Sequence, residues 1–349
     1  MVSSRHIIKW LLGQRGSAAI LFVLCLPVLL GFAALAVDLA RLSLTKVELQ
    51  NASDAAALAG VRSLSDTQPP PGSSDQPCNW SAATATALDV ARRNFANAAR
   101  IQDALIETGY WNLQDPALGL RPPTPGLPVA GDVSAIRVTV AISSTQNNGP
   151  LKLFFAPILG IAERNIQASA IAVLPAAGGG KGLFPMVISK NFLNSYWNST
   201  TRTPIKQNGV APTISIGSTY NNNGSSQLTG TWTSFTNPAN DVSTILQLIA
   251  NGNPTNLSIG MNIWVQPGAK ATLYADVPVG KDVAIFVVDI VATGLQPIVA
   301  IAGFHITGYN QGSKLVYGHF IDNVPVGTAN AGTGNGVPYG AYSPPILVQ

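Results

Sequence analysis

Between Gly16 and Val37 the chain carries no charged residue. As a helix rising about 1.5 Å per residue, this run spans roughly 33 Å, enough for a hydrocarbon core of about 30 Å. A buried helix of a soluble domain rarely stays uncharged for so long. Pro27 and Gly31 interrupt the run, and both are tolerated in membrane helices, Pro27 with an expected kink. Arg5, Lys9 and Arg15 precede it, and no acidic residue occurs before Asp38. That asymmetry predicts a cytoplasmic N-terminus, with the bulk of the chain on the other side. The alternative is a cleaved signal peptide ending at the Ala34–Ala36 tripeptide. The run is longer than the usual apolar region of about 7–15 residues and contains a proline, so an uncleaved anchor is the expectation.

Helix-forming sequence continues past the apolar run without glycine until Gly60. Leu39, Leu42, Leu49, Ala52, Ala56 and Ala59 recur at near three-and-four spacing, predicting one stalk helix with a stripe of large and then small apolar side chains. Charged residues are 10% of the chain, against roughly 25% in ordinary soluble domains. Three of the basic residues lie in the N-terminal tail, leaving 17 basic against 16 acidic elsewhere. The high isoelectric point is thus a topology signal, and no nucleic-acid partner is implied. Cys25 and Cys78 lie too far apart in character and sequence to suggest an intrachain bridge.

The Pro-rich stretch after residue 65 breaks the helix. A second helix is predicted over 79–109, capped by Asn79 or Ser81, with Ala87, Val90, Ala91, Phe95, Ala98, Ile101 and Leu105 as its apolar face. It is expected to lie antiparallel to the stalk. Strand-like runs follow at "GYWNLQ", "SAIRVTVAIS" and "NIQASAIAVLP", with "LKLFFAPILG" as a short apolar helix or turn. The stretch 176–182, "AAGGGKG", reads as a flexible linker. It lacks the spacing of a phosphate-binding loop. Beyond it the chain is mostly β in pattern, including "ATLYADVP", "VAIFVVDIVA" and "PIVAIAGFHITGY", with one helix capped by Asp241 and closed by Gly252. The fold class expected is therefore α+β: a transmembrane helix extended into a stalk, a partner helix with a small sheet, and a sandwich-like β domain.

Residues able to do chemistry are sparse. His305 and His319 lie in neighbouring strand-like runs, but a metal site needs a third ligand, for which Asp289 or Asp322 would have to be recruited. Asp132-Val133-Ser134 begins like a metal-ion-dependent adhesion motif, yet Ile136 stands where its second serine belongs. Trp and Tyr residues beyond 180, Trp264 among them, are candidates for a sugar-stacking platform or for plain core packing. Asp38 and Arg41, one turn apart, are positioned to pair with each other. No catalytic, cofactor-binding or metal-binding residue is assigned.

The residues Arg15-Gly16, Leu26-Pro27, Val37-Asp38, Leu49-Gln50 and Asn51 through Gly60 resemble the TadE/TadG-like family of Flp (Tad) pilus-assembly proteins. The match extends through "GYWN", "SAIRVTVA" and "LFFAPILGIAERNIQASAIAVL", and more loosely through "VAIAGFHITGY" and "YGHFI". The resemblance implies a single-pass bacterial inner-membrane protein, with its bulk in the periplasm, that helps build or anchor an adhesive type IVb pilus. It would act by packing its helix against pilins or other assembly subunits, or against a second copy of itself. The prepilin-peptidase glutamate is missing: Leu21 follows Gly16 and Ala18 follows Gly13 at that spacing, so no such cleavage is expected. A von Willebrand A domain, carried by many relatives, is not expected either. The expected organisation is a basic tail at 1–15, the helix at 16–64, a TadG-like α+β unit at 65–175, the linker, a β-rich domain at 183–330 and an irregular tail at 331–349. The competing readings are a tethered module binding a glycan or protein, and an envelope hydrolase with an unrecognised site.

Overall fold

A computed structural model describes residues 15–66, 78–124, 126–222, 224–239, 241–266, 270–326 and 338–348. Its described residues gather into two compact units. One holds those of Met1–Ser53, with Ala91–Ala104 and Thr139–Ala168; the other holds those of Asp54–Val90, Leu105–Val138 and Ser169–Gln349. All but the last residue of the expected basic tail lies outside the described residues, as does most of the Pro-rich break.

Helix α1 (Arg15–Asp66) runs without interruption through Pro27. The most apolar stretch of this helix is wholly unburied, and it is long and apolar enough to cross a membrane. From Asp38 onward burial becomes periodic, with Asp38, Thr45, Leu49, Ala52, Ala56 and Gly60 turned inward and Leu44, Val47 and Asn51 outward. Leu39, expected on the inward stripe, is exposed. Asp38 takes that inward position because its carboxylate has buried donors to meet.

Helix α2 (Trp80–Arg92) starts as expected, with Asn79 Oδ1 accepting the N–H of Ala82 at 3.0 Å. It ends well short of Gly109. Phe95–Ala96 folds back on Ala99–Arg100, and Asn97 and Ala98 at the turn take positive φ angles of 51° and 61°. Two consecutive left-handed residues match the right-handed twist of a hairpin, and they end the helical path that propensity alone would continue. Phe95 and Leu105, assigned to the buried helical face, are both exposed. Gly60 of α1 meets α2 closely: a Cβ there would stand 2.8 Å from Ala87 Cβ and 3.1 Å from the Ala83 carbonyl.

Three longer strands follow, β1 (Leu105–Asn112), β2 (Asp132–Ile142) and β3 (Ile166–Leu174). The second half of the chain contributes β4 (Met186–Ser189), β5 (Ile214–Ile216), β6 (Gly230–Trp232), α3 (Val242–Asn251), β7 (Asp282–Val288), β8 (Ala300–Asn310), β9 (Leu315–Phe320) and β10 (Ile346–Leu347). A six-stranded sheet has the order β5-β9-β8-β7-β4-β6 and is antiparallel except where β7 runs parallel to β4. Apolar cores lie on both its faces, which is why β7 reads as a continuous apolar run rather than an alternation. One core takes in Ile245 and Ile249 of α3. Asp241 caps this helix by accepting the Thr244 N–H at 2.8 Å, and Gly252 closes it at φ 70°.

Three expectations are corrected. "ATLYADVP" is a 3₁₀ helix (Ala271–Asp276), not a strand. Leu273 and Tyr274 are both buried in the same core, and a strand would have pointed them to opposite faces. The glycine-rich stretch read as a flexible linker is buried from Ala177 to Gly180, with Gly179–Gly180 paired to Leu257–Ser258. A Cβ at Gly179 would stand 2.2 Å from the Leu257 carbonyl, so glycine here serves close approach rather than freedom. The tail, read as irregular, is in its described part ordered against β3: Ile346 pairs with Val173 and Leu347 with Ala172. β10 thereby completes a second sheet of order β10-β3-β2-β1.

Candidate functional site at the exit of the apolar helix

Where α1 leaves its apolar stretch, Asp38 is 1% exposed. A carboxylate is costly to bury unless donors surround it. Three backbone N–H groups do so: Phe154 donates to Oδ1 at 2.7 Å, and Phe155 and Ala156 donate to Oδ2 at 2.8 and 2.7 Å. The donors lie at the start of a 3₁₀ turn, Ala156–Leu159. Its first groups have no partner within the turn, so an external acceptor is needed. Asp38 is that acceptor.

Arg41 does not simply pair with Asp38 as the spacing suggested. Its guanidinium donates to the Lys152 carbonyl at 3.0 Å and to Asn97 Oδ1 at 2.9 Å, and it lies 4.3 Å from the centre of the Phe154 ring. Glu48 accepts the Asn97 N–H at 2.7 Å, and Ser53 Oγ bridges the carbonyls of Leu49 and Ala168. Three polar side chains of one helix, Asp38, Arg41 and Glu48, thus hold the hairpin at Asn97 and the segment around Phe154, and a fourth, Ser53, reaches β3 at Ala168. Sequence reading marked Asp38 and Arg41 but found neither partner, since both lie beyond the reach of local spacing. The signal that was present is Pro157 within an apolar run: proline fits the first turn of a helix whose donors need outside acceptors.

The other candidate residues fall elsewhere. His305 and His319 do meet, as cross-strand partners on β8 and β9 with ring centres 5.0 Å apart. Asp282, rather than Asp289 or Asp322, reaches His305 Nδ1 at 2.6 Å. Burial first, and the neighbouring His305 second, lower the pKa of His319. Among the described residues no cluster of three or more His, Cys, Asp or Glu is placed to hold a metal ion. The Asp132 carboxylate is taken up by an ion pair with Arg121, by Asn112 Nδ2 at 2.9 Å and by the Val129 N–H at 2.9 Å. Arg202 donates to the Asp132 carbonyl at 2.6 Å. Beside this network Cys78 Sγ lies 3.1 Å from Ser134 Oγ, and burial pushes its thiol up to about 11. Trp197, Trp232 and Tyr274 are core residues, while Trp264 is only half-buried in the Asn262–Val265 ribbon.

Among the described residues, fold and clamp define a class: an α+β chain with one helix long and apolar enough to cross a membrane, whose exit is tied to the turn at Phe154–Ala156 through a buried acid. Comparison with known proteins makes this specific. The family described as Flp pilus-assembly TadE/G-like matches residues 16–63, and that described as Tad-like Flp pilus-assembly matches residues 59–172. Over residues 16–172 the chain is thus similar to Flp (Tad) pilus-assembly proteins. This likeness supports a role related to the Flp (Tad) pilus. No curated protein and no solved structure matches the chain.

Proposed function

We propose that this protein is a non-enzymatic structural subunit of Flp pilus assembly, anchored in the inner membrane with its N-terminus cytoplasmic. Its helix packs against pilins or other assembly subunits. The observation that carries the reading is the division of labour along α1. The large apolar residues from Ile20 to Val37 are exposed, whereas Leu49, Ala52, Ala56 and Val61 are buried within the chain itself. The small-residue stripe beyond the bilayer is therefore already used by the chain's own fold. What remains for a partner is the apolar span and the outward face with Leu44 and Val47, which are 60% and 55% exposed. Within lipid, burial of apolar surface gives no drive for association, so shape-matched contact between helices has to supply it.

Photocrosslinking groups at Leu29, Leu44 and Val47 test this in piliated cells. Adducts with pilin or an assembly subunit from these positions, and none from Ala56, are expected. Adducts absent from all the outward positions would contradict it.

A further inference from the structure

We propose that the segment Phe154–Gly160 is a membrane wedge: an apolar turn seated among lipid acyl chains beside the spanning helix. The proposal rests on the reading that Gly16–Val37 spans the bilayer.

Phe154, Phe155, Ile158 and Leu159 are 65%, 42%, 85% and 69% exposed. Four large apolar side chains within six residues are a costly arrangement for a turn facing water. With Ala156, three of them line a groove of about 310 Å³ whose other wall is Val28, Gly31, Phe32, Ala34 and Leu35 of α1. These helix residues lie roughly 4–15 Å inward of Asp38 by helical rise, so a turn set against them lies at the depth of one leaflet. The occupant of the open groove is then what surrounds the span: lipid.

The backbone is prepared for that solvent, in which an unpaired N–H has no water to meet. Leu153 donates to the Ala162 carbonyl, and the next three residues with an N–H donate to Asp38. Pro157 has no N–H. Ile158 donates to Phe155, Gly160 to Pro157, and Ile161 to Ala156. Charge begins only at the borders, with exposed Lys152 before the turn and Glu163 and Arg164 after it. Arg41, over Phe154, donates to the carbonyl of Lys152 at that border.

The test uses the full chain with Cys78→Ser, reconstituted in phosphatidylethanolamine–phosphatidylglycerol vesicles. An environment-sensitive fluorophore is placed on native Cys25, on Ile158→Cys, or on Val210→Cys, the last two with Cys25→Ser. Fluorescence from position 158 should fall by about half with lipids spin-labelled near the top of the acyl chain and resist aqueous iodide, as an inserted apolar turn demands. Val210, exposed in the second unit, should respond to iodide alone. Iodide quenching at 158 would overturn the wedge, and protection from both quenchers would overturn it in favour of a protein seated in the groove. Cys25 separates the failures: lipid quenching there with none at 158 removes the wedge alone, whereas no lipid quenching at Cys25 removes the spanning helix as well.

Discussion

Asp38 Oδ2 accepts the backbone N–H of Ala156 at 2.7 Å, joining the exit of the apolar helix to a residue 118 positions further along the chain. The same carboxylate takes the N–H groups of Phe154 and Phe155. One side chain therefore satisfies three donors that would otherwise sit unpaired in apolar surroundings, and it fixes the orientation of the turn that carries Ile158 and Leu159.

Removing that acceptor should loosen the turn without unfolding the chain. In Asp38→Ala, hydrogen exchange at the amides of Phe154, Phe155 and Ala156 should accelerate by at least about tenfold, since their protection comes from this contact. Asp38→Asn, keeping one carbonyl acceptor but no charge, should lie between. Exchange by mass spectrometry reads both, and unchanged protection in Asp38→Ala would remove the clamp.

Gly60 predicts a packing defect. A Cβ at this position stands 2.8 Å from Ala87 Cβ, so Gly60→Leu should destabilise by about 1–3 kcal/mol through overpacking. Thermal melting should show it. Ala87→Gly in the Gly60→Ala background should restore part of the smaller loss seen in Gly60→Ala alone, because the two changes share one contact.

How much of this was legible beforehand follows from range. Asn79 and Asp241 were readable as caps because a cap and its donor lie within one turn. The inward stripe through Leu49, Ala52 and Ala56 was readable because period is local information. The partner of Asp38 was not, for nothing within one turn of it indicates a backbone donor at Phe154. Helix-friendly residues beyond Arg92 hid a hairpin whose turn needs Asn97 and Ala98 in left-handed conformations, a tertiary choice that overrides propensity. The glycines at 179 and 180 misled in the opposite sense: they signal flexibility by composition, yet both are paired in a strand and Gly179 is required by the nearness of Leu257 and Ser258.

The Asp241 cap gives a pH dependence. Its bonds with Ser243 and with the Thr244 N–H hold the carboxyl down at about 2. A folded pKa below the unfolded one means the unfolded chain binds the proton first. The stabilisation is thus complete above the ordinary aspartate pKa and disappears as pH falls through about 2. Melting temperature between about pH 5 and 2 should fall less steeply in Asp241→Asn, which keeps a capping oxygen but no titration.

Cys78 should be slow to alkylate. With its thiol at about 11, the thiolate is scarce near neutrality and the rate should rise about tenfold per pH unit up to that value. A stopped-time maleimide assay on detergent-solubilised protein with Cys25→Ser measures it. Rapid reaction that is flat with pH would show an open thiol instead.

The central claim, that this chain is a structural part of Flp pilus assembly, is tested most directly by counting surface pili. Electron microscopy should find pili lost from a strain lacking the gene, restored by the wild-type chain, and not restored by a chain beginning after Val37. A deletion strain with a normal number of pili would contradict the account.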